Sequence, residues 1–465
     1  MKYLIMGVLT ASWLGFWTEV ASAQRTSDRA VRRASAIDES ADSDDPSVFN
    51  NLPEPALPPG SLNDVPSGTD PGVPPTFFEL STDAAPPSTR FGAYGDTYDD
   101  PRGFKYSWNP DQWAKVGAAL RASFNSQTRP SPNDLGSYFT LNNMRLLTSG
   151  QVTKYVGFEL NSDINLSETV TPQALTVPTS FSLLDAILKL ETSDYFNVWL
   201  GQFLPPSDRS NIDGPFFVNG WDVPFVSNYP QIIDGRQMGG AYWGTWQGGK
   251  IKWSVGAFNG TGASLLSPYT NPPDSPPNPS GNIQFDARVT VNFLDPEPGY
   301  YHQSSYYGKK DILALGFAVQ TQRHALGTAE DPRNFTGVSL DALFETTLAN
   351  DGVITVEGAV YRYDNQDLPT SGQQGDCGFI YVGYIIPQDL SVGPVRGRLR
   401  PFTRYQQYNH DFEEASTGLY SRALDLGVEY VINGPNARIL ALWSDRGVVN
   451  SPSVQVFTLG ASMVF

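Results

Sequence analysis

Apolar and polar residues alternate along most of the chain from Trp113 to the C-terminus. The clearest stretch is 283–293, where six apolar residues alternate with five polar ones. Because successive side chains of a β-strand point to opposite faces, this pattern predicts strands with one apolar and one polar face. About sixteen such segments lie near residues 113–126, 138–149, 152–164, 181–192, 195–204, 236–246, 250–260, 282–295, 309–323, 336–349, 352–364, 376–386, 394–408, 419–433, 436–446 and 453–465.

The connections between these segments alternate between short and long. Short ones such as 247–249 and 350–352 carry the Gly, Asn and Asp residues that tight hairpins need, whereas 205–235 and 261–281 are long. This alternation is typical of a transmembrane antiparallel β-barrel. Residues 296–308 are too long for the short side, which indicates an extra element or a misplaced boundary. We predict an all-β barrel of about 16 strands over residues 113–465.

The N-terminal part has a different composition. Lys2, a mostly apolar stretch from Tyr3 to Trp17 and the small residues at 21–23 form the pattern of a secretory signal peptide, which predicts cleavage after residue 23. Residues 24–112 include a stretch rich in Pro, Asp and Ser, and we predict a largely disordered periplasmic linker there. The predicted location is the bacterial outer membrane.

The remaining composition excludes several classes of function. The chain has one cysteine, Cys377, and three histidines without ligand-like spacing, so we predict no metal site and no cofactor. None of these histidines lies in a nucleophile motif, so we predict that the chain is not an enzyme. The net charge of -17 argues against nucleic acid as a partner.

The connection 205–235 is unusually long and apolar for a surface loop. A barrel of sixteen strands is too wide for its wall side chains to fill, so this loop is predicted to fold into the lumen as a constriction. Packing over the rim or a subunit contact is the alternative. The residues assigned to the constriction are Arg209, Asp213, Phe216, Phe217, Trp221 and Arg236.

Basic residues share the predicted inner face of several strands. Those of segment 394–408 fall on alternate positions and would form a vertical ladder that an anion could follow. The alternative is that they pair with the carboxylates of Asp425 and Glu429 on the next strand. The predicted pore-lining residues are Arg121, Arg145, Lys189, Lys252, Arg288, Arg396, Arg398, Arg400 and Arg404.

Part of the sequence resembles a known family. The stretches 142–146, 157–163, 184–186, 198–206, 235–240 and 256–260, together with Arg209, are similar to phosphate-selective porins O and P. The chain departs from that family near its second strand, where Asn143 and Arg145 replace paired basic residues. The resemblance implies a trimer of sixteen-stranded porins whose third loop enters the pore. The C-terminal Phe465 also resembles the signal by which the barrel-assembly machinery recognises outer-membrane barrels.

These patterns together lead to one functional expectation. The chain is predicted to form a water-filled porin in outer-membrane lipid for passive diffusion of small hydrophilic solutes, with anions such as phosphate as candidates. A dicarboxylate-type porin and a structural barrel that tethers the envelope are the alternatives. Bilayer conductance separates the channel from the structural barrel.

Overall fold

A computed structural model describes residues 103–128, 136–166, 169–171, 174–176, 179–229, 235–260, 282–327, 331–369 and 373–465. These ranges contain twenty strands and the short helix α1 (Arg209–Phe217). The strands are β1 (Phe104–Asn109), β2 (Gln112–Gln127), β3 (Ser137–Thr153), β4 (Val156–Leu166), β5 (Thr169–Thr171), β6 (Ala174–Thr176), β7 (Thr179–Glu191), β8 (Asn197–Phe203), β9 (Gln237–Trp246), β10 (Ile251–Phe258), β11 (Gln284–Asn292), β12 (Ile312–Gly327), β13 (Pro332–Thr347), β14 (Val353–Asp364), β15 (Gly375–Ile385), β16 (Asp389–Val392), β17 (Val395–His410), β18 (Tyr420–Asn433), β19 (Ala437–Val448) and β20 (Ser451–Val464).

Sixteen of these strands close into an antiparallel barrel. Each pairs with its neighbour along the chain, and β2 closes the wall by pairing with β20 from Ala119 opposite Val464 to Gln127 opposite Val456. Strands β1 and β16 extend the wall at one end, while β5 and β6 form a separate hairpin. Closure leaves the wall without a free edge, so its backbone groups are paired within the sheet. The predicted all-β barrel with about 16 strands is therefore confirmed.

The two faces of each strand differ as the alternation predicted. On β20, Phe457, Leu459 and Met463 are between 44% and 48% exposed on the outer face, and the terminal Phe465 is 57% exposed. Thr458 and Ser462 of the same strand lie inside and are buried. An apolar outer band around a polar interior is the surface that a barrel presents to lipid.

Tight turns close one end of the barrel. The β9–β10 turn contains Gln247, Gly248 and Gly249, which all adopt positive φ, and a Cβ at Gly249 would lie 2.4 Å from the carbonyl carbon of Glu297. This close approach requires glycine at position 249. The opposite end carries the longer connections, including 204–236.

The predicted signal peptide at 1–23 and most of the predicted linker lie outside the described residues. The last part of that predicted linker, residues 104–109, forms β1, which pairs with the beginning of β2. Within the described ranges, no helix is long and apolar enough to cross a membrane.

Candidate functional site: the barrel interior

The connection between β8 and β9 enters the lumen, as predicted for a constriction loop. Helix α1 begins after Asp208, whose carboxylate accepts a hydrogen bond from the backbone N–H of Ser210 at 3.0 Å. The helix is kinked at Gly214, which has a φ of 66° and precedes Pro215. From this kink the chain crosses the lumen toward β17–β20.

Arginines of the opposite wall hold the returning part of this loop through its backbone carbonyls. Arg404 donates to the carbonyl of Asp222 at 2.6 Å, and Arg121 donates to that of Trp221. Arg438 donates to the carbonyls of residues 218 and 216 at 3.4 and 3.5 Å. These guanidinium groups therefore fix the path of the loop.

The aromatic residues assigned to the constriction are buried in the barrel interior. Phe216 and Trp221 are each 3% exposed, and Phe217 is 7% exposed. The Trp221 ring lies beneath Arg121, with 4.2 Å from the guanidinium carbon to the ring centroid. A Cβ at Gly460 of β20 would lie 2.6 Å from this ring, so the small residue leaves the space that Trp221 occupies.

Most of the predicted pore-lining cations lie inside the barrel and contact carboxylates. Opposite residues on β17 and β18 form two of these pairs, Arg404 with Asp425 at 2.8 Å and Arg400 with Glu429 at 3.4 Å. The other pore-lining pairs are Arg145 with Asp163, Lys189 with Glu159 and Arg288 with Asp341, all within 3.0 Å, and Arg121 with Asp222 at 3.5 Å. The predicted constriction residues Arg236 and Arg209 pair with Asp185 and Glu297, both within 3.1 Å.

Three of the predicted pore-lining residues lie outside these buried ion pairs. Arg396 is 73% exposed on the β16–β17 hairpin and pairs there with Asp389. Arg398 is half-buried, and its guanidinium lies 3.3 Å from the carbonyl of Asp351. Lys252 is buried, and its ammonium lies 3.2 Å from the carbonyl of Tyr301. The structure therefore brings Arg400 and Arg404 together against the loop and places Arg396 outside that group.

A second connection also turns into the lumen, from the end with the short turns. Strands β11 and β12 remain paired as far as Asp295 and Asp311, whose backbone N–H and C=O lie 2.8 Å apart. The intervening residues 296–310 enter the barrel, and residues 300–307 are buried. We call residues 296–310 the inturned segment. They correspond to the connection whose length did not fit the sequence pattern.

Carboxylates of the wall and of α1 hold the inturned segment. Glu345 of β13 accepts hydrogen bonds from the hydroxyl of Ser305 at 2.7 Å and from the backbone N–H of Tyr306 at 2.9 Å. The hydroxyl of Ser304 lies 2.6 Å from Asp213 and 2.9 Å from Glu357. The predicted constriction residue Asp213 thus contacts the inturned segment.

A bidentate ion pair joins the two segments that fill the lumen. The terminal nitrogens of Arg209 in α1 lie 2.8 and 2.7 Å from the two carboxylate oxygens of Glu297. Burial by itself would raise the pKa of Glu297. The charge and hydrogen bonds of Arg209, with help from Lys252 and Tyr306, instead lower this pKa to about 2.

We expect Glu297→Gln to destabilise the protein by about 3 kcal/mol at pH 7, because the lowered pKa of Glu297 contributes stability when the carboxylate is ionised. That contribution is present above the unfolded pKa and is lost as the pH falls toward 2. The difference in unfolding free energy between wild type and variant should therefore shrink on acidification. Glu414→Gln, in an exposed loop, is the control. A difference independent of pH would contradict the ion-pair account.

The residues that sequence reasoning missed are Arg438, Glu297, Glu345, Glu357 and His302. Arg438 shares the inward parity of β19, so the alternation alone could have identified it. Within the described ranges, no group of His, Cys, Asp and Glu side chains is arranged to hold a metal ion.

Asp222 is an exposed acidic residue in the described part of the constriction loop. The side chain of Asp222 is 51% exposed and lies 3.5 Å from Arg121 and 3.8 Å from Arg446. Arg446 is 26% exposed beside this carboxylate, whereas Arg121 is buried beneath it.

No protein-family model matches the sequence, and no curated protein is significantly similar to it. Several solved structures are similar to it. The outer membrane channel DcaP of Acinetobacter baumannii is 14% identical, with a TM-score of 0.50 over 78% of this chain and all of that one. OprB of Pseudomonas putida is 12% identical (TM-score 0.48; 76% and 94% covered), and an anion-selective porin of Comamonas acidovorans is 10% identical (0.44; 76% and 99%). The chain therefore has the barrel fold of outer-membrane channels, while its resemblance to the phosphate-selective family stays a prediction.

Proposed function

We propose that this protein is an outer-membrane porin for passive diffusion of small hydrophilic solutes. One observation carries the proposal, namely a closed sixteen-stranded barrel with an apolar outer face and charged side chains on the inner face. A wall of this width encloses more space than its own side chains fill, so a route for water can exist within it. The constriction loop and the inturned segment narrow that route, which favours small solutes.

We also propose that the porin is a homotrimer whose N-terminal linker lies in the periplasm. The fold that the chain shares with DcaP supports the outer-membrane location. Both the beginning of β2 and the end of β20 lie at the end of the barrel with the short turns, which supports a periplasmic N-terminal segment.

Ion preference is proposed to depend on charges that remain accessible. Arg400 and Arg404 face carboxylates and the constriction loop, so their charges are largely compensated. Asp222 and Arg446 are more exposed, since their side chains are 51% and 26% accessible. Anions such as phosphate are candidate solutes, and Asp222 and Arg446 would contribute more to selection than the compensated arginines of the predicted ladder.

Planar-bilayer recording tests the channel. We expect discrete conductance steps from the purified, folded chain. A barrel that inserts fully, as judged by protease protection in vesicles, and carries no ionic current would contradict the proposal and favour the structural barrel.

We expect Asp222→Asn to shift the reversal potential in a salt gradient toward anion preference. The substitution removes one negative charge and leaves the guanidinium groups of Arg121 and Arg446 without their shared carboxylate. Asp389→Asn is the matched control, because Asp389 pairs with Arg396 on an exposed hairpin beyond the main wall. Equal shifts of the reversal potential in the two variants would show that Asp222 does not contribute to ion preference by lying on the solute route.

A further inference from the structure

A small cavity lies between the barrel wall and the inturned segment. Strands β9, β10 and β11 form one side of it, and residues 299–302 form the other. It has room for about one particle of the size of a water molecule. The side chains that matter for its chemistry are those of Trp243, Lys252, Arg288 and His302.

Lys252 differs from the other buried cations of the barrel. Its ammonium has the carbonyl of Tyr301 as a hydrogen-bond partner, and no carboxylate oxygen of the described residues lies within 4 Å of it. Each of the other buried basic residues in the described ranges forms an ion pair within 4 Å. Since a buried ammonium needs a compensating charge close by, the place beside Lys252 is suited to an anion.

Other polar groups around the cavity also have unused hydrogen-bonding capacity. Among the described residues, no acceptor lies within hydrogen-bond distance of the buried indole N–H of Trp243 or the buried Nε–H of Arg288. His302 Nδ1 lies 2.7 Å from the carboxylate of Asp213, while its Nε2 has no hydrogen-bond partner in the described part of the chain. Buried N–H groups without acceptors are uncommon in folded proteins, and two of them beside one ammonium indicate a missing acceptor.

We propose that a small monovalent anion of halide size binds in this cavity. It would accept hydrogen bonds from the ammonium of Lys252, the indole of Trp243 and the guanidinium of Arg288. It would also join the wall to the inturned segment, because Lys252 contacts Tyr301 and His302 lines the same space. A water molecule could accept two of these hydrogen bonds, but it would place no negative charge within 4 Å of the Lys252 ammonium, whose partner is the carbonyl of Tyr301. The anion is held by the protein rather than transported, so this inference does not depend on conduction.

Crystals of the full chain grown in sodium bromide provide a direct test. We expect an anomalous peak of bromide within hydrogen-bond distance of Lys252 Nζ and Trp243 Nε1. A water molecule at that position, or a cavity without a peak in wild-type crystals, would overturn the proposal. This measurement requires neither a variant nor ion flow.

Thermal unfolding in detergent gives the second test, with sodium chloride or bromide compared with sodium gluconate at equal ionic strength. We expect halide to raise the unfolding midpoint of wild type in a saturable way. Lys252→Met should abolish this shift, and Trp243→Phe, which keeps an aromatic ring, should reduce it.

Lys189→Met is the control, because Lys189 is also buried but pairs with Glu159 at 2.6 Å. It should lower stability and keep the halide shift. A shift that survives in Lys252→Met would refute the site, whereas absence of conductance would refute only the channel.

Discussion

Excision of the inturned segment is expected to raise single-channel conductance several-fold. Replacement of residues 296–310 by Asn-Gly would join β11 to β12 through a two-residue hairpin, because Asp295 and Asp311 are already hydrogen-bonded across the pair. The excision removes buried side chains from the lumen and so widens the proposed route where they lie. The same variant should carry Arg209→Met, since loss of Glu297 would otherwise leave a buried guanidinium without its carboxylate.

Planar-bilayer recording and liposome swelling with sugars of increasing size measure this effect. The matched control replaces residues 389–396 of the β16–β17 hairpin, which lies at the same end of the barrel. These residues are exposed and lie outside the lumen. We expect the control to conduct like wild type. If the excision variant folds and its conductance equals that of the control, the inturned segment does not limit passage. Conductance that appears only after excision would identify the segment as a plug.

The wall of the barrel could be predicted because its information is local. A strand half exposed to lipid must alternate apolar and polar residues, so the alternation over 282–295 located β11 (Gln284–Asn292) to within a few residues. The constriction loop was predictable for a related reason. Phe216 and Trp221 would be poorly solvated in a surface loop, and the structure buries both.

The inturned segment and the ion pairs depend on contacts between residues far apart in the chain. Residues 298–308 contain four tyrosines and no Asp, Glu, Lys or Arg. This composition indicates burial, whereas the length of the connection indicated only that it was not a tight turn. Alternation places Arg400 and Arg438 inside the barrel, but it does not show that both contact Glu429. The unpaired environment of Lys252 likewise depends on where Tyr301 enters the lumen. Such three-dimensional neighbours follow from register and loop path, which strand patterns do not encode.

Glu429→Gln is expected to destabilise the barrel by about 3 kcal/mol, because the substitution breaks a buried ion pair. Glu429 is fully buried and lies 3.4 Å from Arg400 and 3.1 Å from Arg438. Its loss leaves these two buried guanidinium groups without a carboxylate within 4 Å among the described residues. Arg438 also donates to the carbonyl of Val218, and Arg400 donates to the side chain of Asn219 at 2.8 Å. The substitution should therefore also loosen the constriction loop, which protease sensitivity of folded protein would detect.

The free energy of unfolding, measured by urea titration in lipid vesicles, checks the magnitude. Asp389→Asn should cost less than about 1 kcal/mol, because its pair with Arg396 is exposed to solvent. Combining Glu429→Gln with Arg438→Gln completes a double-mutant cycle. If Glu429 acts by compensating Arg438, the double variant must lose less stability than the sum of the single variants, since one uncompensated charge has been removed. Strict additivity would mean that the two side chains stabilise the loop independently and that shared charge is not the reason for their burial.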